Sequence, residues 1–171
     1  MRRLLLVDDD INVLHALQRS LRQCSFINEL RTEIFVDPLL ALQRAAEVDF
    51  DIVISDYLMP QMDGIAFLKQ LRVLQADTVR LILSASTEFE IVKRALNEAE
   101  IFRYIPKPWH LSDLQELIPL ALARRDQLDE TRVHLGKLTP QQLAARHLEA
   151  EESGITKVNW GPDGSVHLDE P

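Results

Sequence analysis

The chain has 171 residues with a net charge of −8 and a pI near 5.1; 46% of its residues are hydrophobic and 27% are charged. This length accommodates one ordinary domain with an appendage, and the acidic balance argues against a protein that binds nucleic acid. The single cysteine excludes an intramolecular disulfide, and no apolar run approaches the ~20 residues that span a bilayer. We therefore expect a cytoplasmic protein without membrane contact.

Short apolar runs alternate with amphipathic segments in the first two thirds of the chain. A continuous apolar run is typical of a strand that is covered on both faces, and such runs predict strands at 4–7, 32–36, 52–55, 79–83 and 102–105. Apolar residues at helical spacing predict helices at 11–24, from Pro38 after an Asp37 cap, at 65–74, around 91–96 after a Ser86 or Thr87 cap, and after a Ser112-Asp113 cap. This alternation predicts an α/β fold with a parallel sheet between two layers of helices.

The last third of the chain has a different pattern. Pro119 is expected to kink or interrupt the final helix, because it removes a backbone hydrogen bond. Arg124, Arg125 and Arg132 alternate with acidic residues, which favours a solvated helix face over a polyanion-binding patch. Thr139-Pro140 predicts a short further helix, and the segments 155–160 and 165–168 around a Gly-rich turn predict a β-hairpin.

Polar residues cluster at the predicted carboxyl ends of the strands. Asp8 and Asp9 follow the first strand, Asp56 ends the third, Ser84 ends the fourth and Lys107 follows the fifth. Converging carboxylates repel each other unless a cation neutralises them, and Mg²⁺ prefers oxygen ligands. The sequence thus predicts a magnesium site; the alternative, in which Asp9 and Asp10 only cap the first helix, explains Asp10 but not the whole set.

A hydroxyl and an ammonium that face a metal-bound carboxylate are what a phosphoryl group requires. We therefore expect Asp56 to act as a nucleophile that forms an aspartyl phosphate, with Lys107 and Ser84 contacting the phosphoryl oxygens. An isolated lysine is ordinarily a solvated surface residue, but prolines on both sides fix the backbone of Lys107.

Four motifs resemble the receiver domain of two-component response regulators, and they lie at 4–10, 55–64, 81–85 and 102–109. The resemblance covers about residues 1–124 and leaves 125–171 as a C-terminal extension with a helix continuation, a short helix and the β-hairpin. It implies a doubly wound, flavodoxin-like five-stranded parallel sheet with strand order 2-1-3-4-5.

The resemblance also implies roles for individual residues. Asp56 corresponds to the phosphoacceptor and, with Asp8, Asp9 and the backbone carbonyl of Leu58, to the Mg²⁺ site. Asp9 would bind the ion directly, and Asp8 would mostly hold a bound water. Many relatives carry a polar residue at position 58, where it can influence an attacking water.

Three further residues match the family pattern. Ser84 and Tyr104 correspond to its switch positions, although an aromatic residue in an edge strand is ordinarily a packing residue. Lys107 corresponds to the lysine that contacts the phosphate, and the Lys107–Pro108 peptide is expected to be cis.

These features predict a response regulator that is not an enzyme in its own right, although it assists its own phosphorylation and dephosphorylation. It would accept a phosphoryl group from a histidine kinase or a histidine phosphotransfer protein, and signal by phosphorylation-dependent dimerisation or binding of a protein partner. The alternatives are a phosphate-shuttle receiver in a phosphorelay, or the receiver and linker of a longer regulator. DNA binding is not expected, because residues 136–171 carry three basic residues, Lys137, Arg146 and Lys157, against six acidic ones.

Overall fold

The computed structural model describes residues 1–26, 30–85, 99–136, 159–160 and 166–167. The strands within this part of the chain are β1 (Arg2–Val7), β2 (Leu30–Phe35), β3 (Ile52–Asp56), β4 (Val79–Ser84), β5 (Arg103–Pro106), β6 (Asn159–Trp160) and β7 (Val166–His167). The helices are α1 (Ile11–Leu21), α2 (Pro38–Glu47), α3 (Gly64–Leu74) and α4 (Leu111–Gly136). The helices predicted around 91–96 and after Thr139-Pro140 lie outside the described residues.

The first five strands form one parallel sheet with the order β2-β1-β3-β4-β5, which confirms the predicted fold and strand order. Alternate residues of each strand face opposite sides of the sheet, so each side has its own core. One core contains Leu4, Leu6, Ile52 and Ile54 with buried residues of α1 and α4. The other contains Leu5, Val7 and Val53 with buried residues of α2 and α3.

Aspartates begin three of the helices. The carboxylates of Asp10, Asp37 and Asp63 accept backbone N–H groups from the first turns of α1, α2 and α3. A carboxylate at this position satisfies a donor that the helix itself cannot, and it interacts favourably with the helix dipole. Asp10 is therefore a helix cap, whereas Asp9 does not cap α1.

The final helix differs from the prediction at two points. It begins at Leu111, before the expected Ser112-Asp113 cap; the Asp113 carboxylate reaches back to the His110 backbone N–H at 3.1 Å. It also continues through Pro119 as a single helix, so the predicted interruption is wrong. The carbonyl that loses its donor there belongs to Gln115, which is exposed together with Pro119, so water can hydrogen-bond to it.

Arg125 corrects the prediction of a solvated helix face. Arg124 and Arg132 are exposed, but the Arg125 side chain is only 12% exposed. Its Nη1 lies 2.5 Å from Asp129 Oδ1, and its buried Nε lies 3.8 Å from Asp51 Oδ1. The neighbouring residue, Asp126, pairs with Arg2 of β1. Ion pairs thus hold this part of α4 to the amino-terminal end of the sheet.

The buried Arg80 joins the segments that enter β4 and β5. It lies at the second position of β4, and its guanidinium donates to the carbonyls of Ala76 and Thr78 at 3.0 and 2.8 Å and to that of Ala99 at 3.0 Å. A longer contact of 3.5 Å reaches the carbonyl of Glu100, whose φ of 48° places it in the left-handed region. Burial lowers the pKa of Arg80, and these backbone partners compensate for the lost water.

The chain divides into two compact units, Met1–Asp129 and Glu130–Pro171. In the second unit β6 and β7 pair antiparallel, which confirms the predicted hairpin at Asn159–Trp160 and Val166–His167. The remaining residues of that predicted hairpin are not among those described. None of the helices in the described ranges is long and apolar enough to cross a membrane.

Candidate functional site

The parallel sheet brings the carboxyl ends of β1, β3, β4 and β5 to one edge. Asp8 follows β1, Asp56 and Ser84 are the last residues of β3 and β4, and Lys107 follows β5. The three strands β1, β3 and β4 are neighbours in the sheet, with Val7 paired to Ser55 and Asp56 paired to Leu83. The register therefore brings together side chains that lie up to about a hundred residues apart in the sequence.

Three carboxylates meet at this edge. Asp8, Asp9 and Asp56 each offer an oxygen atom, and these atoms all lie within 4.8 Å of one another. Asp8 and Asp56 are buried, at 2% and 5% exposure, whereas Asp9 is exposed. Asp8 is oriented by the backbone N–H of Asp10, which donates to Asp8 Oδ1 at 2.9 Å. The cluster is thus accessible from the side of Asp9 and enclosed at its base.

The Lys107 ammonium bridges two of these carboxylates. Its Nζ lies 2.6 Å from Asp56 Oδ1 and 2.7 Å from Asp8 Oδ2, and the side chain is 21% exposed. Charge-assisted hydrogen bonds of this length are among the strong ones in proteins. The ammonium contacts two of the three carboxylates in the cluster, so the site has more acidic groups than basic ones.

The burial and charges of the site change the pKa values of both partners. Burial raises the pKa of the Asp56 carboxyl above its usual range, and the Asp8 charge acts in the same direction, while hydrogen bonds from Lys107 and the Leu58 backbone oppose it. Burial alone would lower the pKa of Lys107, but the hydrogen bonds and charges of Asp56 and Asp8 raise it overall. Lys107 therefore stays protonated at neutral pH.

The donor set of the cluster fits a hard divalent cation. Carboxylate oxygens are ligands that Mg²⁺ accepts, and Mg²⁺ usually keeps several waters beside one or two carboxylates. Two sides of the cluster are already engaged, by Lys107 and by the Asp10 backbone, while the exposed Asp9 faces outward. The arrangement can therefore hold a hydrated cation between Asp9 and the buried pair.

Leu58 contributes to the site through its backbone. Its N–H hydrogen bond to the Asp56 carboxylate favours the ionised form, as the pKa of Asp56 reflects. The Leu58 side chain is 68% exposed. The metal-binding role of its carbonyl stays a prediction.

Ser84 and Tyr104 are directly connected. Ser84 is 2% exposed at the end of β4, and its backbone carbonyl accepts the Tyr104 hydroxyl at 2.9 Å. The same carbonyl accepts the Lys107 backbone N–H at 2.9 Å. The end of β4 thus links residues 107–110, here called the lysine segment, to Tyr104 of the edge strand β5. The Lys107–Pro108 peptide bond is cis, as expected.

Two residues that support Asp56 were not predicted. The Ser55 hydroxyl donates to the Asp56 backbone carbonyl at 2.9 Å. At Gly64 an added Cβ would lie 2.0 Å from that carbonyl oxygen, and the Gly64 N–H donates to the Tyr57 carbonyl at 2.8 Å. In the sequence, the position of Gly64 directly after the helix-capping Asp63 was the feature that could have indicated this close backbone approach.

Comparison with known proteins identifies the family. A model of the response regulator receiver domain matches residues 4–119. The chain belongs to this receiver family. A signal receiver domain of an HD domain-containing protein from Pseudomonas fluorescens Pf-5 superposes with a TM-score of 0.67 at 31% identity, over 74% of this chain and 98% of that one.

Curated relatives of this receiver are longer proteins. The hydrogenase transcriptional regulatory protein HoxA of Bradyrhizobium diazoefficiens is 34% identical over 169 residues, which is 98% of this chain and 33% of that protein. The transcriptional regulatory protein PrrA of Mycobacterium leprae is 36% identical over 123 residues, which is 72% of this chain and 51% of that protein. The chain therefore spans between a third and about half of these relatives.

Proposed function

We propose that Asp56 accepts a phosphoryl group from a phosphohistidine of a histidine kinase or phosphotransfer protein. An Asp56 carboxylate oxygen attacks phosphorus, the phosphorus–nitrogen bond breaks, and the electron pair stays on the imidazole nitrogen, which takes up a proton. The observation that carries this proposal is the position of the Lys107 ammonium, 2.6 Å from Asp56 Oδ1 and within reach of any oxygen attached there.

The neighbouring residues have distinct tasks in this proposal. Lys107 exchanges its bond with Asp56 for one with a phosphoryl oxygen, so the added negative charge meets a fixed positive one. Asp8, Asp9, Asp56 and the Leu58 carbonyl would hold Mg²⁺, which when bound would neutralise charge on the phosphoryl oxygens. Ser84, at the end of β4, donates its hydroxyl to the phosphoryl group. The chain is then a phosphoacceptor with no substrate turnover of its own.

The acceptor assignment is tested by labelling with a small phosphodonor in Mg²⁺. Asp56→Asn abolishes labelling, because an amide does not attack phosphorus at a useful rate. Asp63→Asn is the matched control, because asparagine also caps helices and keeps the start of α3 intact. Labelling that survives in Asp56→Asn would overturn the assignment.

The metal role is tested without any phosphodonor. Mg²⁺ alone raises the thermal midpoint of the full chain, since a ligand that binds only the folded state stabilises it. Asp9→Asn removes most of this rise, whereas Asp10→Asn keeps it because Asp10 serves as the α1 cap. An equal rise in thermal midpoint with Mg²⁺ in wild type and Asp9→Asn would show that Asp9 is not a ligand. Labelling that persists in EDTA would show that the metal is not required.

We propose further that residues 1–124 act as the receiver and 125–171 as an extension through which phosphorylation changes dimerisation or the binding of a protein partner. Light scattering of the full chain with and without beryllofluoride tests this output. A change in the molecular mass of the chain, or in the protein partners that bind to it, supports this output. No change in either, with the acceptor site filled, favours the phosphate shuttle.

A second candidate is the receiver and linker of a longer regulator. The similarity to HoxA supports it, because it runs over 169 residues and so includes the segment after residue 124. The names of the relatives describe transcriptional regulation by those proteins. For this chain we propose protein partners, because three basic residues against six acidic ones in 136–171 do not favour DNA.

A further inference from the structure

Trp109 connects the lysine segment to helix α1. It lies two residues after Lys107, and its indole Nε1 donates to the Ser20 hydroxyl oxygen over 3.1 Å. The ring is partly buried against the core that contains Leu14, Leu17 and other residues of α1. A partly buried indole N–H normally finds an acceptor, but here the acceptor comes from a helix 89 residues away in sequence.

The lysine segment is short and its backbone is held at both ends. The Lys107 N–H donates to the Ser84 carbonyl at 2.9 Å, and the His110 N–H donates to the Asp113 carboxylate at 3.1 Å. Neither bond fixes the distance between this segment and α1. The contact of Trp109 with Ser20 does so from the middle of the segment.

Helix α1 is the element that directly follows Asp8 and Asp9, since Asp10 is its N-cap. Ser20 is the next-to-last residue of this helix, so the Trp109–Ser20 hydrogen bond ties the segment that carries the ammonium to the far end of the helix that the carboxylates precede. A lysine side chain has a flexible four-carbon stem, so the position of its ammonium depends on where the backbone is held. Lys107 must reach Asp8 and Asp56 from a single backbone position.

We propose that Trp109 is a positioning residue that acts on Lys107 through its hydrogen bond to Ser20. The bond holds the Lys107 backbone where its ammonium can contact a phosphoryl group on Asp56. This inference rests on the proposed phosphoacceptor function. In this proposal Trp109 acts through the backbone of Lys107 and is not one of the groups that contact the transferred phosphoryl group.

The test compares two ligands of the full chain, Mg²⁺ alone and beryllofluoride in the presence of Mg²⁺. Trp109→Phe keeps an aromatic ring and removes the donor, whereas Ser20→Ala removes the acceptor. Each weakens beryllofluoride binding about fivefold, the effect expected if the Lys107 ammonium occupies its binding position about one fifth as often, and the double variant is no weaker than either single one. Ser20→Thr, which keeps the hydroxyl, restores binding.

Mg²⁺ binding separates positioning from general damage to the site. The proposed cation ligands do not include Lys107, so neither variant weakens the affinity for Mg²⁺ alone. A structural disturbance of α1 would weaken both ligands together and overturn the proposal. Trp160→Phe and Ser25→Ala serve as matched controls, because Trp160 is the second of two tryptophans and Ser25 is exposed beyond the end of α1.

The outcomes distinguish this inference from the function on which it rests. Beryllofluoride affinity in Trp109→Phe equal to that of wild type would overturn the positioning role and leave the acceptor site intact. A wild-type chain that binds Mg²⁺ but no beryllofluoride would instead overturn the acceptor function. Urea denaturation of each variant verifies that the compared proteins are folded.

Discussion

The Tyr104 hydroxyl donates to the Ser84 backbone carbonyl over 2.9 Å, so the two residues predicted at the switch positions are in direct contact. The ring lies partly buried against the core on the α2 and α3 side of the sheet. Because the same carbonyl also accepts the Lys107 N–H, a movement of this part of β4 changes both contacts together. The switch role of Tyr104 is a proposal that this linkage supports.

Tyr104→Phe removes the hydroxyl and leaves the ring. Loss of the hydrogen bond to the Ser84 carbonyl alone should lower the free energy of unfolding by about 1 kcal/mol, as measured by urea denaturation. Tyr57→Phe is the matched control: Tyr57 is the other tyrosine, and its hydroxyl makes no hydrogen bond within the described part of the chain. Equal losses in both variants would show that the Ser84 contact contributes nothing.

Gly64→Ala places a methyl group 2.0 Å from the Asp56 carbonyl oxygen, which belongs to the backbone and cannot swing aside. The start of α3 or the end of β3 must shift, and we expect a loss of about 1–3 kcal/mol in stability, together with slower labelling of Asp56. Gly136→Ala is the control, because nothing lies within 4 Å of an added methyl group there. A Gly64→Ala protein as stable as wild type would contradict the close approach.

Asp56→Asn should stabilise the fold at neutral pH in the absence of metal. The pKa of Asp56 is raised in the folded state. At a pH above about 4, the ordinary pKa of aspartate, the carboxyl therefore ionises more readily in the unfolded state, which stabilises the unfolded state relative to the folded one. The neutral amide removes this effect, and Lys107 keeps its bond with Asp8. Thermal melts in EDTA should show a higher midpoint for the variant at pH 7. The difference should narrow once the pH falls below the raised pKa of Asp56 and should be gone below about 4. A variant that melts below wild type at pH 7 would refute the sign of the effect.

Asp51→Ala should cost about 3 kcal/mol in stability, because it leaves charged partners without their counter-charge. Asp51 accepts the Arg2 guanidinium at 2.9 Å and the Arg3 backbone N–H at 2.7 Å, and it lies beside the buried Nε of Arg125. The neighbouring exposed residue, Asp49, provides the control, and Asp49→Ala should change stability by less than about 0.5 kcal/mol in the same urea titration.

The sheet was predictable because its central strands are apolar runs that end at polar residues. The run before Asp56 gave β3 to within one residue, and carboxyl ends of parallel strands lie at one edge, which brought Asp8, Ser84 and Lys107 to the same place. The first residues of the strands were harder to predict. β1 begins at Arg2 and β2 at Leu30, because backbone pairing continues past the apolar core, with Arg2 paired to Leu30 and Arg3 to Arg31.

Contacts between distant side chains could not be predicted from the sequence. The sequence pattern predicts a solvated Arg125, because its partner Asp51 is remote in sequence and only the packing of α4 brings the two residues together. Likewise, no local pattern indicates that Trp109 reaches Ser20. Spacing along the chain predicts which face of an element a residue occupies, but the register between elements determines which residues it meets.

The environment of Arg80 restricts what can replace it. Its planar fork delivers separate N–H groups to carbonyls on two sides, those of Ala76 and Thr78 and that of Ala99. A lysine has the same charge, but its donors radiate from a single atom and cannot span that arrangement. The requirement at this position is therefore the shape of the donor group rather than positive charge. A substitution by lysine would conserve the charge but leave buried backbone carbonyls without a hydrogen-bond donor.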